Sequence, residues 1–203
     1  MENKDFYSSI RENDMEALFK EKGSKFISYA FPVRNEEEVK AALVIVKKKH
    51  HAARHWCYAY RLGEEGKDYR VNDDGEPSNS AGQPIYGQIL AYGLTDVLVV
   101  VVRYFGGVKL GVGGLIQAYK TSSQEILEVV ETIDFPILKK FRVKCNYDQM
   151  NKVMRLIKDF DLKVLSQELA LDCKFELGVL QSQFEKVYEI FSLNHHLELK
   201  ISS

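Results

Sequence analysis

The spacing of apolar residues changes period in a regular order between Leu138 and the C-terminus, and each change predicts an element. Lys139 to Asn146 alternates as a strand. Asp148 to Asp159 then places Met150, Val153, Met154 and Ile157 on one helical face. Lys163 to Ala170 and Asp172 to Leu180 read as strands, Phe184, Val187, Tyr188 and Phe191 form a second helical stripe, and His196 to Ser202 alternates again. The order β-α-β-β-α-β predicts a ferredoxin-like sandwich with both helices on one face of the sheet and the other face open.

The first half is less regular. Lys25 to Val33 reads as a strand, followed by a helix announced by Asn35 with Glu38 three residues on, a spacing that resembles a capping box. That helix turns Val39, Ala42, Leu43 and Val46 inward. His55 to Leu62 is an aromatic strand with Trp56, Tyr58 and Tyr60 on one face and His55, Cys57, Ala59 and Arg61 on the other. Asp68 to Asn72 pairs with it, and a helix is expected near Ile85 to Tyr92. Val97 to Val102 is apolar at every position, which predicts a central strand covered on both faces. From about Gly113 a helix buries Leu115, Tyr119, Ile126 and Val130 and runs out near Ile133, before Pro136. The expected architecture is α+β in two domains, 1–134 and 138–203, divided at Asp134 to Ile137.

Composition narrows the class. A chain of 203 residues with 45% hydrophobic and 28% charged residues folds as an ordinary globular protein. Its formal net charge of -1 removes the simplest argument for a polyanion partner and leaves a local basic patch as the remaining route. Cys57, Cys145 and Cys173 form no C-x-x-C pair, which suggests neither a disulfide framework nor a cysteine zinc site and fits a reducing compartment. The start, Met1-Glu2-Asn3-Lys4-Asp5, has no apolar run behind it, and the longest aliphatic stretch is too short to span a bilayer. A cytoplasmic protein with no membrane association is expected.

The segment Arg103 to Gly114 joins the apolar strand to the next helix and contains Gly106, Gly107, Gly111, Gly113 and Gly114. Glycines let backbone N–H groups approach an anion, the helix N-terminus adds positive potential, and Arg103 and Lys109 supply cations. A tight strand-to-helix connection explains the same glycines without a ligand. Gly106 to Gly111 has P-loop spacing but is followed by Val112 instead of Lys, and Gly111-x-Gly113 meets Ile116 where a third glycine is needed, so nucleotide fingerprints of both kinds fail.

Asn72 to Pro84 is a polar loop whose Asp73, Asp74, Glu76 and Ser78 form a candidate ligand loop, able in principle to hold a divalent cation or act as acid and base. Turn residues give the same composition to an inert loop, and the calcium-loop pattern is absent. His50, His51 and His55 do not share a continuous helix, so zinc spacing is not met; His50 reads as an exposed residue favoured by the helix dipole. Cys57, in mid-strand between aromatic neighbours, reads as a small core residue and not as a nucleophile. No catalytic set is assigned, no metal or other cofactor is expected, and His55 and Arg61 are kept as supporting residues of the candidate site.

Taken in order, Arg54-His55-Trp56-Cys57-Tyr58-Ala59-Tyr60-Arg61, Asp74-Gly75-Glu76-Pro77-Ser78, Ala81-Gly82-Gln83-Pro84-Ile85 and Val101 to Gly114 resemble the signature of the IMPACT family, over roughly Lys22 to Glu131. The C-terminal segment is similar to the small domain appended by bacterial, YigZ-like members. Members carry Gly-Thr after Glu-Pro-Ser, where this chain has Asn79-Ser80, and tend to have Arg where it has Gln117. The resemblance implies a first domain with the fold of the second domain of a small-subunit ribosomal protein, similar to domain IV of elongation factor G. It implies a ferredoxin-like second domain similar to domain V of that factor.

Eukaryotic members regulate translation by competing for the activator of the kinase that senses uncharged tRNA. What the resemblance carries to this chain is a translation-linked regulator that contacts RNA or the ribosome through Arg103, Lys109 and the glycine-rich turn, with exposed aromatics for stacking. On this reading Arg103→Ala and Lys109→Ala weaken RNA binding and leave folding intact. The alternatives are an enzyme acting on a small phosphorylated substrate through the acidic loop, and a protein-interaction module using the open sheet face of the second domain.

Overall fold

A computed structural model describes residues 4–12 and 14–202. Met1, Glu2 and Asn3 of the N-terminal start lie outside the described residues; Lys4 and Asp5 lie within them. The chain divides into two compact units, one of residues 7–135 and one of residues 1–6 with 136–203.

The first unit is built on a five-stranded antiparallel sheet in the order β2(Ala17–Glu21), β3(Ser24–Pro32), β6(Val97–Tyr104), β4(His55–Leu62), β5(Asp68–Asn72). Apolar residues at every position of β6 put it at the centre. Its even positions Leu98, Val100 and Val102 pack with Val39, Ala42 and Val46 of α1(Glu36–Lys49) on one face. Its odd positions Val97, Val99 and Val101 pack with Ile85 and Ile89 of α2(Gly82–Ala91) and with Leu115, Tyr119 and Ile126 of α3(Gly111–Val129) on the other. The aromatic strand β4 divides as its alternation predicts: Trp56, Tyr58 and Tyr60 join the α1 side, Cys57 and Ala59 the α2–α3 side. Asn35 caps α1 by accepting the Glu38 backbone N–H at 2.9 Å, and the Glu38 carboxylate reaches back to the Arg34 N–H at 2.8 Å.

Two features depart from the sequence reading. The chain before Lys25 adds strands β1(Phe6–Ile10) and β2, and the α3 helix stops at Val129 instead of near Ile133. Ile133 belongs to β7(Thr132–Pro136), which pairs with β1 as a two-stranded sheet. The cause is a change of period: Thr132 to Pro136 alternates exposed and half-buried, so its apolar residues share a face only as a strand.

The second unit has the order β8(Leu138–Cys145), α4(Tyr147–Asp159), β9(Lys163–Leu169), β10(Cys173–Leu180), α5(Phe184–Ser192), β11(Glu198–Ser202), with all neighbours antiparallel and strand order β11-β8-β10-β9. This is the ferredoxin-like arrangement. Phe141, Val143, Phe175 and Leu177 meet Val153, Ile157, Phe184 and Phe191 in its core. Met154, placed on the apolar face of α4 by spacing, is exposed. The open sheet face carries cross-strand ion pairs, Arg142 with Glu176 at 3.2 Å and Lys174 with Glu168 at 3.1 Å. Among the described residues of these strands, the aromatic side chains Phe141 and Phe175 face the helices.

Candidate functional site

Antiparallel register brings the strand ends of the first unit together, with Arg103 of β6 opposite both Phe26 of β3 and His55 of β4. Arg103 continues the odd series Val97, Val99, Val101, so its side chain enters the α2–α3 side, where it is 6% exposed. There its Nη1 donates to Glu76 Oε1 at 2.6 Å; Glu76 is 4% exposed. The same oxygen accepts the Tyr119 hydroxyl at 2.8 Å, and the Cys57 thiol stands 3.2 Å from the Tyr119 oxygen and 3.0 Å from the Asp73 carbonyl. Cys57, Tyr119, Glu76 and Arg103 therefore form one interior polar chain. Burial pushes both the Cys57 thiol and the Tyr119 hydroxyl far above their ordinary ranges, so Cys57 is a neutral thiol and no nucleophile at physiological pH.

The acidic loop is held from within. Asp73 Oδ1 accepts the backbone N–H groups of Ala81 and Gly82 at 2.9 and 2.8 Å, and its Oδ2 accepts that of Asn79 at 2.8 Å. Ala81, the residue that caps α2, has no side-chain acceptor, and Asp73 supplies one from a distance. Asp74 Oδ2 accepts the Trp56 N–H at 2.7 Å, and the Asp74 carbonyl accepts His55 Nδ1–H at 2.9 Å. Asp73 and Asp74 thus close the loop onto α2 and β4, and Glu76 ties it to β6 and α3. Among the described residues no group of three or more His, Cys, Asp or Glu is arranged to hold a metal ion. Ser78 is exposed within the loop. Arg61 binds the carbonyls of Gly66 and Leu94 at the far end of β4, about 20 Å from His55 at the rise of a strand, and takes no part.

The glycines divide by role. A Cβ on Gly106 would lie 1.9 Å from the Gly23 carbonyl carbon, so Gly106 exists to let the turn rest on the β2–β3 hairpin. Gly107 and Gly111 have positive φ, 87° and 73°, and a Cβ at either, or at Gly113, would meet open space. Gly114 is tight only against the Leu110 side chain. Lys109 is exposed in this turn and, like Lys22 and Lys25 of the hairpin beneath it, enters no ion pair among the described residues. Phe105 is 54% exposed with the Arg103 guanidinium 5.6 Å from its ring centre.

Arg103 is thus neutralised inside the fold, and Lys22 and Lys25 stand at the turn instead. The residues Lys22-Gly23 between the alternating runs Ala17–Glu21 and Ser24–Pro32 were the available signal, since both have positive φ, 44° and 79°, as a two-residue hairpin turn requires.

His50 is a correction. The dipole argument made it an exposed residue at the end of α1, yet it is buried, with Nε2 2.7 Å from the Tyr29 hydroxyl and Nδ1 3.0 Å from the Tyr104 hydroxyl. Burial and the adjacent Lys49 hold its pKa below the ordinary histidine value. The last turn of α1 docks on the sheet, so the residue that caps it turns inward.

Comparison with known proteins places these features. Residues 22–127 match the model of the Impact N-terminal domain. The chain is 33% identical over 173 residues to an IMPACT family member of Haemophilus influenzae, covering 84% of this chain and 82% of that one. The chain belongs to the IMPACT family. It is 32% identical over 149 residues to the family member YigZ of Escherichia coli, covering 72% and 73%. A crystal structure of a hypothetical protein superposes with a TM-score of 0.73 over 98% of both chains at 24% identity, a likeness of fold.

The IMPACT signature now has a physical reading. Its Asp-Gly-Glu-Pro-Ser and Ala-Gly-Gln-Pro runs form the loop closed by Asp73 and Glu76, and the run from Val101 to Gly114 forms the turn above the hairpin. Asn79 stands at φ 62° where family members carry glycine, and asparagine tolerates that conformation better than most residues do. Ser80 is buried and donates to the Pro77 carbonyl at 2.6 Å. Gln117 is exposed on α3, bonded to Thr121.

Proposed function

We propose that this IMPACT family protein is a translation-associated regulator that contacts RNA or the ribosome through the end of its first unit. The observation that carries the reading is local: Lys22, Lys25 and Lys109, in no ion pair among the described residues, stand around exposed glycine backbone beside a half-exposed aromatic ring, on a chain of net charge -1. Backbone N–H groups and lysines recognise phosphate, and the ring can stack on a base. Family membership supplies the link to translation. An enzyme built on Asp73, Asp74 and Glu76 is disfavoured, because these carboxylates are engaged in holding the loop. The partner is RNA or the ribosome; among the described residues no helix is long and apolar enough to cross a membrane.

The test is binding of the purified protein to ribosomes and to structured RNA across a salt series, beside the triple variant Lys22→Glu, Lys25→Glu, Lys109→Glu. Wild-type binding is expected to weaken as salt rises, and loss of three phosphate contacts should flatten the log–log slope by roughly 2 to 3. Equal binding by the folded triple variant would reject this surface. A wild type that binds neither partner would reject the RNA reading itself.

A further inference from the structure

Beneath the turn lies a cavity of about 440 Å³, walled by Gly23, Lys25, Ile27, His50, Tyr104 and Phe105. None of Lys25, Ile27, His50 and Tyr104 belongs to the polar chain of Glu76 and Arg103. A hydrogen-bond chain fixes one wall: Lys49 Nζ donates to Glu16 Oε2 at 2.7 Å, the Tyr29 hydroxyl donates to the same oxygen at 2.6 Å, and His50 and Tyr104 follow at 2.7 and 3.0 Å. Because the Tyr29 proton goes to Glu16, His50 Nε2 must be the donor to the Tyr29 oxygen. His50 Nδ1 is then the acceptor, and Tyr104 spends its proton there. The Tyr104 oxygen keeps its lone pairs, so at neutral pH this wall offers an acceptor.

The opposite wall differs. The Phe105 ring is backed by the Arg103 guanidinium, and Arg103 is itself held by Glu76, so the ring is braced in place while more than half of the side chain stays exposed. Lys25 is exposed at the rim and enters no ion pair among the described residues, and Gly23, where a Cβ would lie 2.9 Å from the Gly106 carbonyl oxygen, holds the hairpin against the turn. A flat aromatic wall, a hydrogen-bond acceptor and an exposed cation around a space of this size match a base and its phosphate.

We infer that this cavity is a seat for one unpaired nucleotide, its base stacked on Phe105, a base N–H donated to the Tyr104 oxygen and its phosphate beside Lys25. The nucleotide is either free or part of a single strand. For the single-strand source the inference rests on the RNA reading above; for the free nucleotide it does not.

Two probes separate these sources: adenosine monophosphate followed by amide chemical shifts of the full-length protein, and a labelled twelve-residue oligoadenylate followed by fluorescence anisotropy. The variants are Phe105→Ala, Phe105→Tyr and Lys25→Ala, each checked for an unchanged Tm. Shifts are expected at Gly23, Lys25 and Phe105, and Phe105→Ala should weaken the strand by roughly 5- to 150-fold, the range of one base–aromatic stack. Phe105→Tyr should restore binding, and Lys25→Ala should reduce the salt dependence. Nucleotide binding that depends on Phe105, in a protein that ignores RNA and ribosomes, would uphold the seat and end the RNA reading. A strand bound equally by wild type and Phe105→Ala would overturn the seat and leave the RNA reading to the lysines. Absence of binding to both probes would also overturn it.

Discussion

Glu76 and Arg103 are the residues through which the acidic loop and the glycine-rich turn depend on each other. Both side chains are almost wholly buried, and Glu76 also receives Tyr119. Removing one partner leaves a charge in the interior, which costs about 3–5 kcal/mol, whereas an exposed pair is worth less than about 1 kcal/mol. Arg103→Met is therefore expected to lower unfolding stability by about 3–5 kcal/mol in a urea titration, and adding Glu76→Gln should recover a good part of the loss. A loss below about 1 kcal/mol for Arg103→Met would show that the pair is solvated. The consequence for function is direct: Arg103→Ala is no surface probe, and a binding defect in it reports on the fold as much as on contact. Sequence showed an arginine after six apolar residues next to glycines, and nothing in that string says that the alternation of β6 continues through it. Glu76 lies 27 positions away in a loop, and a pair closed across that distance leaves no local mark.

At the scale of elements, regular periodicity was legible and context-dependent conformation was not. The second unit reads almost directly because its strands and helices each keep one period, and β6 is recognisable because only a central strand is apolar throughout. Strands β1, β2 and β7 escaped although β5 and β11 are just as short: β2 runs straight into the Lys22-Gly23 turn, and β7 follows directly on the apolar stripe of α3. Glycine content alone could not separate ligand approach from close packing, but the geometry does. Gly113 lies in the first turns of α3 with room for a Cβ, so Gly113→Ala should stabilise the protein by about 0.5–1 kcal/mol through helix propensity. Gly106→Ala meets the Gly23 backbone and should destabilise it instead, because neither chain can withdraw without opening the hairpin contact, where the Gly106 N–H donates to Ser24 Oγ at 3.2 Å. Thermal unfolding of the two variants checks both signs. If Gly106→Ala proved neutral, the turn would not rest on the hairpin.

For the whole molecule, the division into two units was placed by sequence at a short segment after α3, but the contribution of the N-terminal residues to the second unit could not be read from it. Asp5 is 177 positions from Ser182, yet its carboxylate accepts the Ser182 N–H at 2.7 Å and the Ser182 hydroxyl at 2.6 Å. Its carbonyl accepts the Ile137 N–H at 2.7 Å. These bonds hold the chain where it enters β8 and where it turns towards α5. The first unit needs none of them: its two apolar clusters, on either face of the five-stranded sheet, draw only on residues 10–130. A chain beginning at Tyr7 should therefore keep the stability of the first unit and lose about 1–3 kcal/mol from the second, the cost of two or three hydrogen bonds at about 1 kcal/mol each. Amide hydrogen exchange reads the two separately, with protection falling across β8, β10 and α5 while β3, β4 and β6 stay as they were. Equal loss in both units would mean that they unfold as one cooperative body, and loss in neither would mean that water replaces Asp5 without cost. The milder substitution Asp5→Asn separates charge from geometry, since an amide oxygen still accepts the Ser182 N–H and only the stronger, charge-assisted part of the bond disappears.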